Sequence, residues 1–316
     1  MSGIAVVFSG QGPQYVGMGK SLYDHFPEVE KLFNDASAIT GVPLSALCFE
    51  GPLADLTRTA NLQPAITTVN LASYMVLKDK GFKPQAVAGH SLGEISALVA
   101  CGCWSVEQAL AFVKVRGLVM DREATLNPGV MKMVMGPSNA RVREVCDQVG
   151  GTVQIANFNT PKQSTLTGEA NAVEAAAAIL KQEKARIIPL KVSGAWHSSL
   201  MQKAEDELRG VIEKMEFAQP TCYMVPNVSG RPTKDPAIIK RELMQQIVRP
   251  TNWVETATGM WGLGIRTYVQ AGPKNALVAM FKQTFEEVYG QEAEQALISN
   301  VEDIDTLQST MDLLAK

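Results

Sequence analysis

The stretch Ala86-Val87-Ala88-Gly89-His90-Ser91-Leu92-Gly93 decides how this chain is interpreted. It places the pattern G-x-S-x-G between a short apolar run and a helix-like segment that extends to Ala100. A serine on a sharp turn between a strand and a helix presents its hydroxyl at the carboxyl edge of a sheet. Glycines on both sides let the backbone segments approach closely, and the helix N-terminus offers amides where an oxyanion would form. The stretch therefore predicts a nucleophile at Ser91 that forms a covalent acyl-enzyme.

The same pattern also occurs in ordinary strand-helix turns that carry a surface serine, because glycine and serine are common residues. The apolar run before the turn and the helix after it favour the nucleophile. A nucleophile also needs a base and an oxyanion hole, which other parts of the chain have to supply.

The composition is that of an ordinary globular protein. The chain has 316 residues, 46% hydrophobic and 19% charged, enough for one large core and a smaller subdomain. With a net charge of -3 we expect no nucleic-acid binding. The first apolar run, Ile4 to Phe8, is too short for a signal peptide and no stretch approaches a membrane span, so we expect a cytoplasmic protein, and by default a monomer. The five cysteines lack metal-ligand or C-x-x-C spacing, which indicates reduced thiols and no metal site.

Strands alternate with helices along most of the chain, which predicts an α/β fold with a mostly parallel sheet. The first strand ends in a glycine-rich loop at residues 9–12, and Gln63-Pro64 precedes a helix that ends near Lys80. Ser105 and Gln108 form a capping box that begins another helix. Later strands are predicted at 222–228, 265–270 and 296–300, followed by a helix from about Ile304.

The middle of the chain has a different pattern. It predicts strands at 130–135, 153–157, 163–167 and 186–192, with helices at 139–149 and 170–184. The order βαββαβ is that of a split-βαβ subdomain. We therefore expect a small subdomain at 128–196, inserted into a larger, discontinuous one formed by 1–127 and 197–316.

The base is sought among three histidines, at 25, 90 and 197. His25 lies in a polar, helix-like surface run. His90 adjoins Ser91, and neighbouring residues on a tight turn usually point apart, so packing under the turn is favoured for it. By elimination His197 is the base. It precedes a helix that Ser198 or Ser199 would cap, and a helix N-terminus favours a neutral ring that accepts a proton. No aspartate or glutamate stands out as a third member, so a backbone carbonyl or an amide could orient the ring.

Arg116 is unusual because helical periodicity places it on the inward face of its helix, among Val113, Gly117 and Met120. A buried arginine is costly unless its charge is paired. Two interpretations remain open, a structural ion pair and a binding site for a substrate carboxylate.

Several blocks, in this order, resemble the malonyl-CoA:acyl carrier protein transacylases and the related acyltransferase domains of polyketide synthases. The resemblance covers nearly the whole chain. Its blocks are Phe8-Ser9-Gly10-Gln11-Gly12, Gln63-Pro64-Ala65, Gly89-His90-Ser91-Leu92-Gly93-Glu94, Arg116-Gly117, Asn157-Phe158-Asn159, Ala195-Trp196-His197-Ser198 and Gly272-Pro273. The resemblance implies a hydrolase-like α/β core with a ferredoxin-like insert, which agrees with the βαββαβ pattern.

The resemblance also implies roles for individual residues. Ser91 would be the nucleophile and His197 the base, and the backbone amides of Gln11 and Leu92 would form the oxyanion hole. Arg116 would pair with the malonyl carboxylate. The residues that would complete the substrate site are Gln246, whose backbone carbonyl orients the His197 ring, Asn157 and Asn159 in the cleft, Trp196 and His90.

The chain departs from the family pattern at three positions. Ser9 stands where the family usually has proline, and Pro13 where it usually has serine. Both flank the oxyanion loop, but Gln11 is retained. Trp196 replaces the phenylalanine that usually precedes the histidine in malonyl-selective members, which leaves the exact acyl selectivity open.

The resemblance implies that the malonyl group passes from malonyl-CoA to the phosphopantetheine thiol of an acyl carrier protein, in fatty acid or polyketide synthesis. This ping-pong transfer needs no cofactor, because thioester and ester differ modestly in energy. An acidic carrier would need a basic docking patch, and residues 181–191 hold Lys181, Lys184, Arg186 and Lys191 against Glu183. A merely solvated helix end is the favoured interpretation of these residues from the sequence alone.

Two other functions stay open at this point. One is an acyl hydrolase or thioesterase acting on carrier-bound acyl groups, although such relatives usually lack the arginine found here at position 116. The other is a non-catalytic scaffold that docks a carrier protein. A patatin-like lipase is disfavoured because the chain contains no Asp-Gly dipeptide.

Overall fold

The computed structural model describes residues 3–315, which form two sheets and the helices that cover them. The strands are β1 (Ile4–Phe8), β2 (Ala86–Gly89), β3 (Val130–Met135), β4 (Val153–Thr160), β5 (Gln163–Gly168), β6 (Arg186–Pro189), β7 (Tyr223–Val225), β8 (Thr267–Ala271) and β9 (Leu297–Val301). The helices are α1 (Lys20–His25), α2 (Pro27–Thr40), α3 (Leu44–Glu50), α4 (Leu53–Thr57), α5 (Thr59–Asp79), α6 (Gly93–Ala100), α7 (Val106–Leu126), α8 (Asn139–Gln148), α9 (Ala170–Gln182), α10 (Gln202–Glu213), α11 (Pro236–Leu243), α12 (Trp253–Gly262), α13 (Ala276–Tyr289) and α14 (Ile304–Leu314). Short 3₁₀ helices occupy Ser199–Met201 and Gly290–Gln295.

The larger sheet has the order β7-β2-β1-β8-β9, and its neighbouring strands are parallel. Its central strands are apolar and buried, as expected for a sheet covered on both faces. The register sets Phe8 beside Gly89 and Ala271. Because parallel strands end at one edge, the loops after β1, β2 and β8 meet next to Ser91.

Two apolar clusters cover the faces of this sheet. One cluster includes Phe8, Val87 and residues of α2, α5 and α7, and the other packs Ala88 and Tyr268 against α12 and α13. None of the described helices is by itself both long and apolar enough to cross a bilayer.

The smaller sheet has the order β4-β5-β3-β6, and its neighbouring strands are antiparallel. Its apolar face packs against α8 and α9 in a separate cluster. Strand order and connectivity are those of a ferredoxin-like βαββαβ unit. The predicted fold class, a parallel α/β core with an inserted βαββαβ unit, is confirmed, whereas the subdomain boundaries at 128 and 196 stay a prediction.

Several element boundaries differ from the predicted ones. Helix α5 begins at Thr59, so Pro64 lies inside the helix rather than before it. Proline cannot donate a hydrogen bond to the carbonyl of Ala60. Gly117 of α7 packs directly there, since a Cβ on Gly117 would lie 3.1 Å from the Thr59 carbonyl oxygen. This close packing of two buried helices outweighs the proline signal.

Two strands are shorter than predicted, and both lie at the edge of a sheet. Strand β6 ends at Pro189 instead of residue 192, although the Leu190 amide still donates to the Met131 carbonyl of β3 at 3.0 Å. Strand β7 spans Tyr223–Val225 instead of 222–228. The predicted capping box of α7 is present, with hydrogen bonds of 2.9 and 3.2 Å between Ser105 and Gln108.

The turn at Ser91 depends on glycine, and a substitution there tests how tightly it is packed. A Cβ on Gly93 would lie 2.2 Å from the Phe8 carbonyl oxygen of β1, which cannot move without breaking the ladder. We expect Gly93→Ala to lower the free energy of unfolding by about 3 kcal/mol or more. Gly210→Ala, with open space around the new methyl group on α10, is the control and should be neutral or stabilising. Equal urea midpoints for Gly93→Ala and the wild type would contradict this packing.

Candidate active site

Ser91 sits on a strained turn between β2 and α6. Its φ of 50° lies in the left-handed region, which residues with a side chain rarely adopt. The turn is held from outside, because the Asn227 Oδ1 accepts the Ser91 amide at 2.6 Å and the Asn227 Nδ2 donates to the Gly89 carbonyl at 2.6 Å. These two hydrogen bonds hold the strained backbone around Ser91 in place, and the Ser91 hydroxyl is directed outward from the turn.

The Ser91 hydroxyl meets His197, which comes from the segment between β6 and the 3₁₀ helix at Ser199–Met201. The Ser91 Oγ lies 2.8 Å from the His197 Nε2. The His197 Nδ1 lies 2.9 Å from the Gln246 carbonyl oxygen and 3.0 Å from that of Arg249. A ring that donates from Nδ1 to these carbonyls leaves Nε2 free to accept a proton from the serine.

The surroundings of His197 keep its ring neutral. Its side chain is 3% exposed, and burial followed by the nearby charge of Arg116 lowers its pKa to about 4. The sequence predicted a neutral ring because of a helix N-terminus next to His197. Such a turn is present, and Ser198 caps it, because its Oγ accepts the Leu200 amide at 3.3 Å. Burial and Arg116 are the larger causes, and they also yield an acceptor ring at neutral pH.

This lowered pKa can be measured directly. In a protein with isotope-labelled histidine, the His197 NMR resonance is the one that disappears in His197→Ala. We expect this resonance to stay that of a neutral ring until the pH falls close to 4, because burial and the charge of Arg116 disfavour the imidazolium above that pH. In Arg116→Ala the midpoint should move upward, since one cationic neighbour is gone. A wild-type midpoint at or above 6.5, the ordinary histidine value, would contradict this electrostatic account.

The two predicted oxyanion donors lie on the segments that flank Ser91. Among the described residues neither the Gln11 amide nor the Leu92 amide has a protein acceptor. The loop of Gln11 lies against the turn, since a Cβ on Gly10 would be 2.3 Å from the His90 carbonyl oxygen. The Gln11 Oε1 accepts a hydrogen bond from the Gln63 Nε2 at 3.2 Å. Both amides are thus available for a negatively charged oxygen beside Ser91.

Arg116 is buried, 1% exposed, and is not neutralised by a direct ion pair within 4 Å in the described part of the chain. Its Nη2 donates to the Gln246 Oε1 at 2.9 Å, whereas its Nη1 has no partner among residues 3–315. Burial lowers its pKa to about 10 and the charge of Glu94 acts against this, so the guanidinium stays charged at neutral pH. Of the two open interpretations, the unpartnered Nη1 favours a substrate carboxylate over a structural ion pair.

A cavity of about 260 Å³ opens beside this group of residues. Gln11, Trp196, Arg58 and Lys191 are among the residues that line it. Trp196 is 5% exposed, and its Nε1 has no partner among residues 3–315. The indole therefore contributes mainly bulk and apolar surface to the cavity.

The other predicted substrate residues are His90, Asn157 and Asn159. The Asn159 Oδ1 is 3.0 Å from the His90 Nε2, and the His90 ring packs edge-on against Trp253 with centroids 5.3 Å apart. Asn157 is buried on β4, bridged to Thr251. These residues join the small sheet to the turn of Ser91. The His90 ring is thus held by Asn159 and Trp253, and direct substrate contacts by His90, Asn157 and Asn159 stay a prediction.

Sequence reasoning gave no role to three residues that hold the site together. Asn227 fixes the Ser91 turn, Gln63 contacts Gln11, and Glu94 accepts a hydrogen bond from the Gln246 Nε2 at 2.8 Å. Gln63 and Glu94 lie within blocks shared with the family, which was the available signal. Asn227 had none, because it is 136 positions from Ser91 along the chain. Within residues 3–315 no cluster of three or more His, Cys, Asp or Glu side chains could hold a metal ion.

Comparisons with known proteins agree with this geometry. Residues 5–312 match the family model described as an acyl transferase domain. The malonyl CoA-acyl carrier protein transacylase of Bacillus subtilis (strain 168) is 37% identical over 287 residues, 90% of this chain and 90% of that protein. The solved structure of the transacylase of that name from Coxiella burnetii has a TM-score of 0.93 at 32% identity, over 100% of this chain and 98% of that one. A malonyl-transacylase solved in complex with its type II polyketide synthase acyl-carrier protein has a TM-score of 0.92 at 34% identity, over 98% of this chain and 99% of that one.

Proposed function

The chain belongs to the acyl transferase domain family, among the malonyl CoA-acyl carrier protein transacylases, and from this premise we propose that it transfers a malonyl group through an ester on Ser91. The donor is malonyl-CoA and the acceptor is the phosphopantetheine thiol of an acyl carrier protein. One observation carries this proposal. A serine hydroxyl 2.8 Å from a neutral histidine lies beside a buried arginine with an unpartnered Nη1, the arrangement that an acyl group with a free carboxylate needs.

In the first half-reaction His197 accepts the Ser91 proton at Nε2 while the serine oxygen attacks the thioester carbonyl. The developing oxyanion is stabilised by the Gln11 and Leu92 amides, each such donor being worth about 3 kcal/mol. The tetrahedral intermediate collapses with loss of the CoA sulfur, which takes the proton from His197. The Gln246 and Arg249 carbonyls stabilise the transient imidazolium and keep its ring in place.

The second half-reaction reverses these steps with a different thiol. The carrier's thiol gives its proton to His197 and attacks the malonyl ester, and Ser91 recovers its proton as it leaves. No redox step or nucleotide is needed, because one acyl bond replaces another of similar energy. Water has to be kept from the ester between the two halves, and the buried position of Arg116, Trp196 and His197 limits its access.

The carrier-transfer step is tested with a phosphopantetheinylated acyl carrier protein and a catalytic amount of this chain. We expect the mass of the carrier to increase by one malonyl group at the expense of malonyl-CoA. The carrier without its phosphopantetheine arm is the control and should remain unchanged. Free CoA formed without any malonyl-carrier would instead indicate an acyl hydrolase, the alternative that keeps the same nucleophile and base.

A basic patch on the small subdomain has the charge that an acidic carrier protein would require. The patch consists of Lys181, Lys184, Arg186 and Lys191, all exposed. Glu183, the acidic residue among them, is paired with Arg141 at 2.7 Å, so it does not offset the patch fully. Lys191 also lines the cavity beside Gln11, which connects the patch to the site. We propose that the carrier docks across this patch.

Charge reversal at Lys184 and Arg186 tests the docking patch. The double variant Lys184→Glu with Arg186→Glu should raise KM for the carrier about tenfold or more, as expected when rim charges steer a partner. Acylation of Ser91 by malonyl-CoA should stay unchanged. Lys78→Glu with Lys282→Glu, on α5 and α13, is the matched control. An equal KM for the carrier in both double variants would remove the patch from the account.

A further inference from the structure

Glu94 is a buried carboxylate that the proposed mechanism does not use. It lies in the first turn of α6, three residues after Ser91, and is 1% exposed. Its Oε2 accepts the Gln246 Nε2 at 2.8 Å and the Asn227 amide at 3.3 Å. Its Oε1 has no partner among the described residues. Burying a carboxylate with one unsatisfied oxygen lowers the stability of the fold, so we expect Glu94 to serve a function at this position.

The group that Glu94 controls is the Gln246 carboxamide. The Gln246 Nε2 donates to the Ser91 carbonyl oxygen and to Glu94, both at 2.8 Å, and the Gln246 Oε1 accepts from the Arg116 Nη2 at 2.9 Å. A carboxamide rotated by half a turn would set its oxygen against two acceptors and its NH₂ against a guanidinium. Because the Glu94 Oε2 also accepts the Asn227 amide, it acts as an acceptor toward Gln246 as well, and Glu94 selects the orientation with the carboxamide oxygen toward Arg116.

This orientation decides what Arg116 can bind. Gln246 occupies the Nη2 and holds the guanidinium plane, and the Nη1 is left without a partner among the residues that the structure describes. Glu94 itself does not form an ion pair with Arg116 within 4 Å in the described part of the chain. Burial raises the pKa of Glu94 to about 7 and the charge of Glu242 acts in the same direction, while the hydrogen bonds from Gln246 and Asn227 and the charge of Arg116 favour its ionised form. The Glu94 carboxylate therefore stabilises Arg116 through Gln246 and does not occupy the Arg116 Nη1.

We propose that Glu94 is a positioning residue for malonyl recognition, which orients Gln246 and thereby presents the Nη1 of Arg116 to the carboxylate of the acyl group. The inference rests on the proposed function and deepens it. It assigns selectivity between malonyl and acetyl groups to a residue that touches neither.

The test measures single-turnover acylation of Ser91 in Glu94→Ala, Glu94→Asp and Glu94→Gln. Glu94→Ala removes the acceptor, and Glu94→Asp keeps the charge but withdraws the carboxylate by one methylene group. Both should raise the half-saturating malonyl-CoA concentration about tenfold, with the limiting rate within about threefold of wild type. Glu94→Gln keeps an oxygen for both donors and should stay within about threefold in both quantities. Thermal unfolding identifies any variant that fails to fold, and the Asp variant then decides.

The Arg116→Ala background separates this role from a merely structural one. If Glu94 acts through Arg116, adding Glu94→Ala to Arg116→Ala should change acetyl-CoA acylation less than about twofold. Equal losses of malonyl and acetyl acylation would overturn the inference, as would an unaffected Glu94→Asp or a Glu94→Gln as impaired as Glu94→Ala. Absence of a malonyl adduct on the wild type would instead refute the proposed function itself, before any Glu94 variant is compared.

Discussion

The His197→Ala variant is expected to acylate Ser91 from malonyl-CoA about 10²- to 10⁴-fold more slowly than the wild type. The ring is the only group within hydrogen-bond distance of the Ser91 Oγ among the described residues, so without it the serine attacks as a neutral hydroxyl. Rapid-quench mass spectrometry of the acyl-enzyme measures the rate directly.

His25→Ala is the control for this loss, because its ring is exposed on α1 and lies 2.7 Å from the Ser21 carbonyl oxygen, away from the site. It should retain the wild-type rate within about twofold. A loss of less than about tenfold in His197→Ala, with the fold intact, would show that another group serves as the base.

Arg116→Ala is the second variant with a large expected effect, and its effect should differ between substrates. Removing the buried partner of a substrate carboxylate costs about 2–5 kcal/mol, so malonyl acylation should fall roughly 30-fold or more. An acetyl group leaves the Nη1 of wild-type Arg116 unpaired, a penalty that the alanine variant does not have. Acetyl-CoA acylation should therefore be kept or should increase.

The ratio of malonyl to acetyl acylation is the quantity to report for Arg116→Ala. Arg116→Lys is the informative companion, since a lysine keeps the charge but not the fork that reaches both Gln246 and the substrate, and we expect an intermediate ratio. Equal loss of both activities in Arg116→Ala would mean that the arginine supports the fold of the site and does not select the acyl group.

Local sequence patterns were sufficient to predict the secondary-structure elements that carry Ser91, His197 and Arg116. Each has a short-range signal: a strand and a helix around a G-x-S-x-G turn, a serine cap after the histidine, and an inward position on an amphipathic helix. The confirmed fold class follows from the same alternation of strands and helices. The strand order of both sheets came only from the structure, because pairing joins residues that are far apart in the chain.

The supporting contacts were not predictable in the same way. The His197 ring is oriented by two backbone carbonyls, which every residue possesses, so no side chain marks their positions. Gln246 was expected to contribute only its carbonyl, but its side chain also joins Ser91, Glu94 and Arg116. Such a network depends on which distant segments of the chain meet in space. For the same reason the start of α5 was placed too late, since the contact of Gly117 with that turn is a tertiary one.

The central claim is that malonyl-CoA acylates Ser91, and intact-protein mass after brief mixing tests it most directly. The wild type should gain one malonyl group from malonyl-CoA and, in the same brief mixing time, only a small fraction of one acetyl group from acetyl-CoA, and Ser91→Ala should gain neither. Peptide mapping should place the adduct on Ser91. A wild-type protein that releases CoA without an adduct would contradict the transferase account in favour of a hydrolase. A protein that forms no adduct and releases no CoA would be the non-catalytic scaffold.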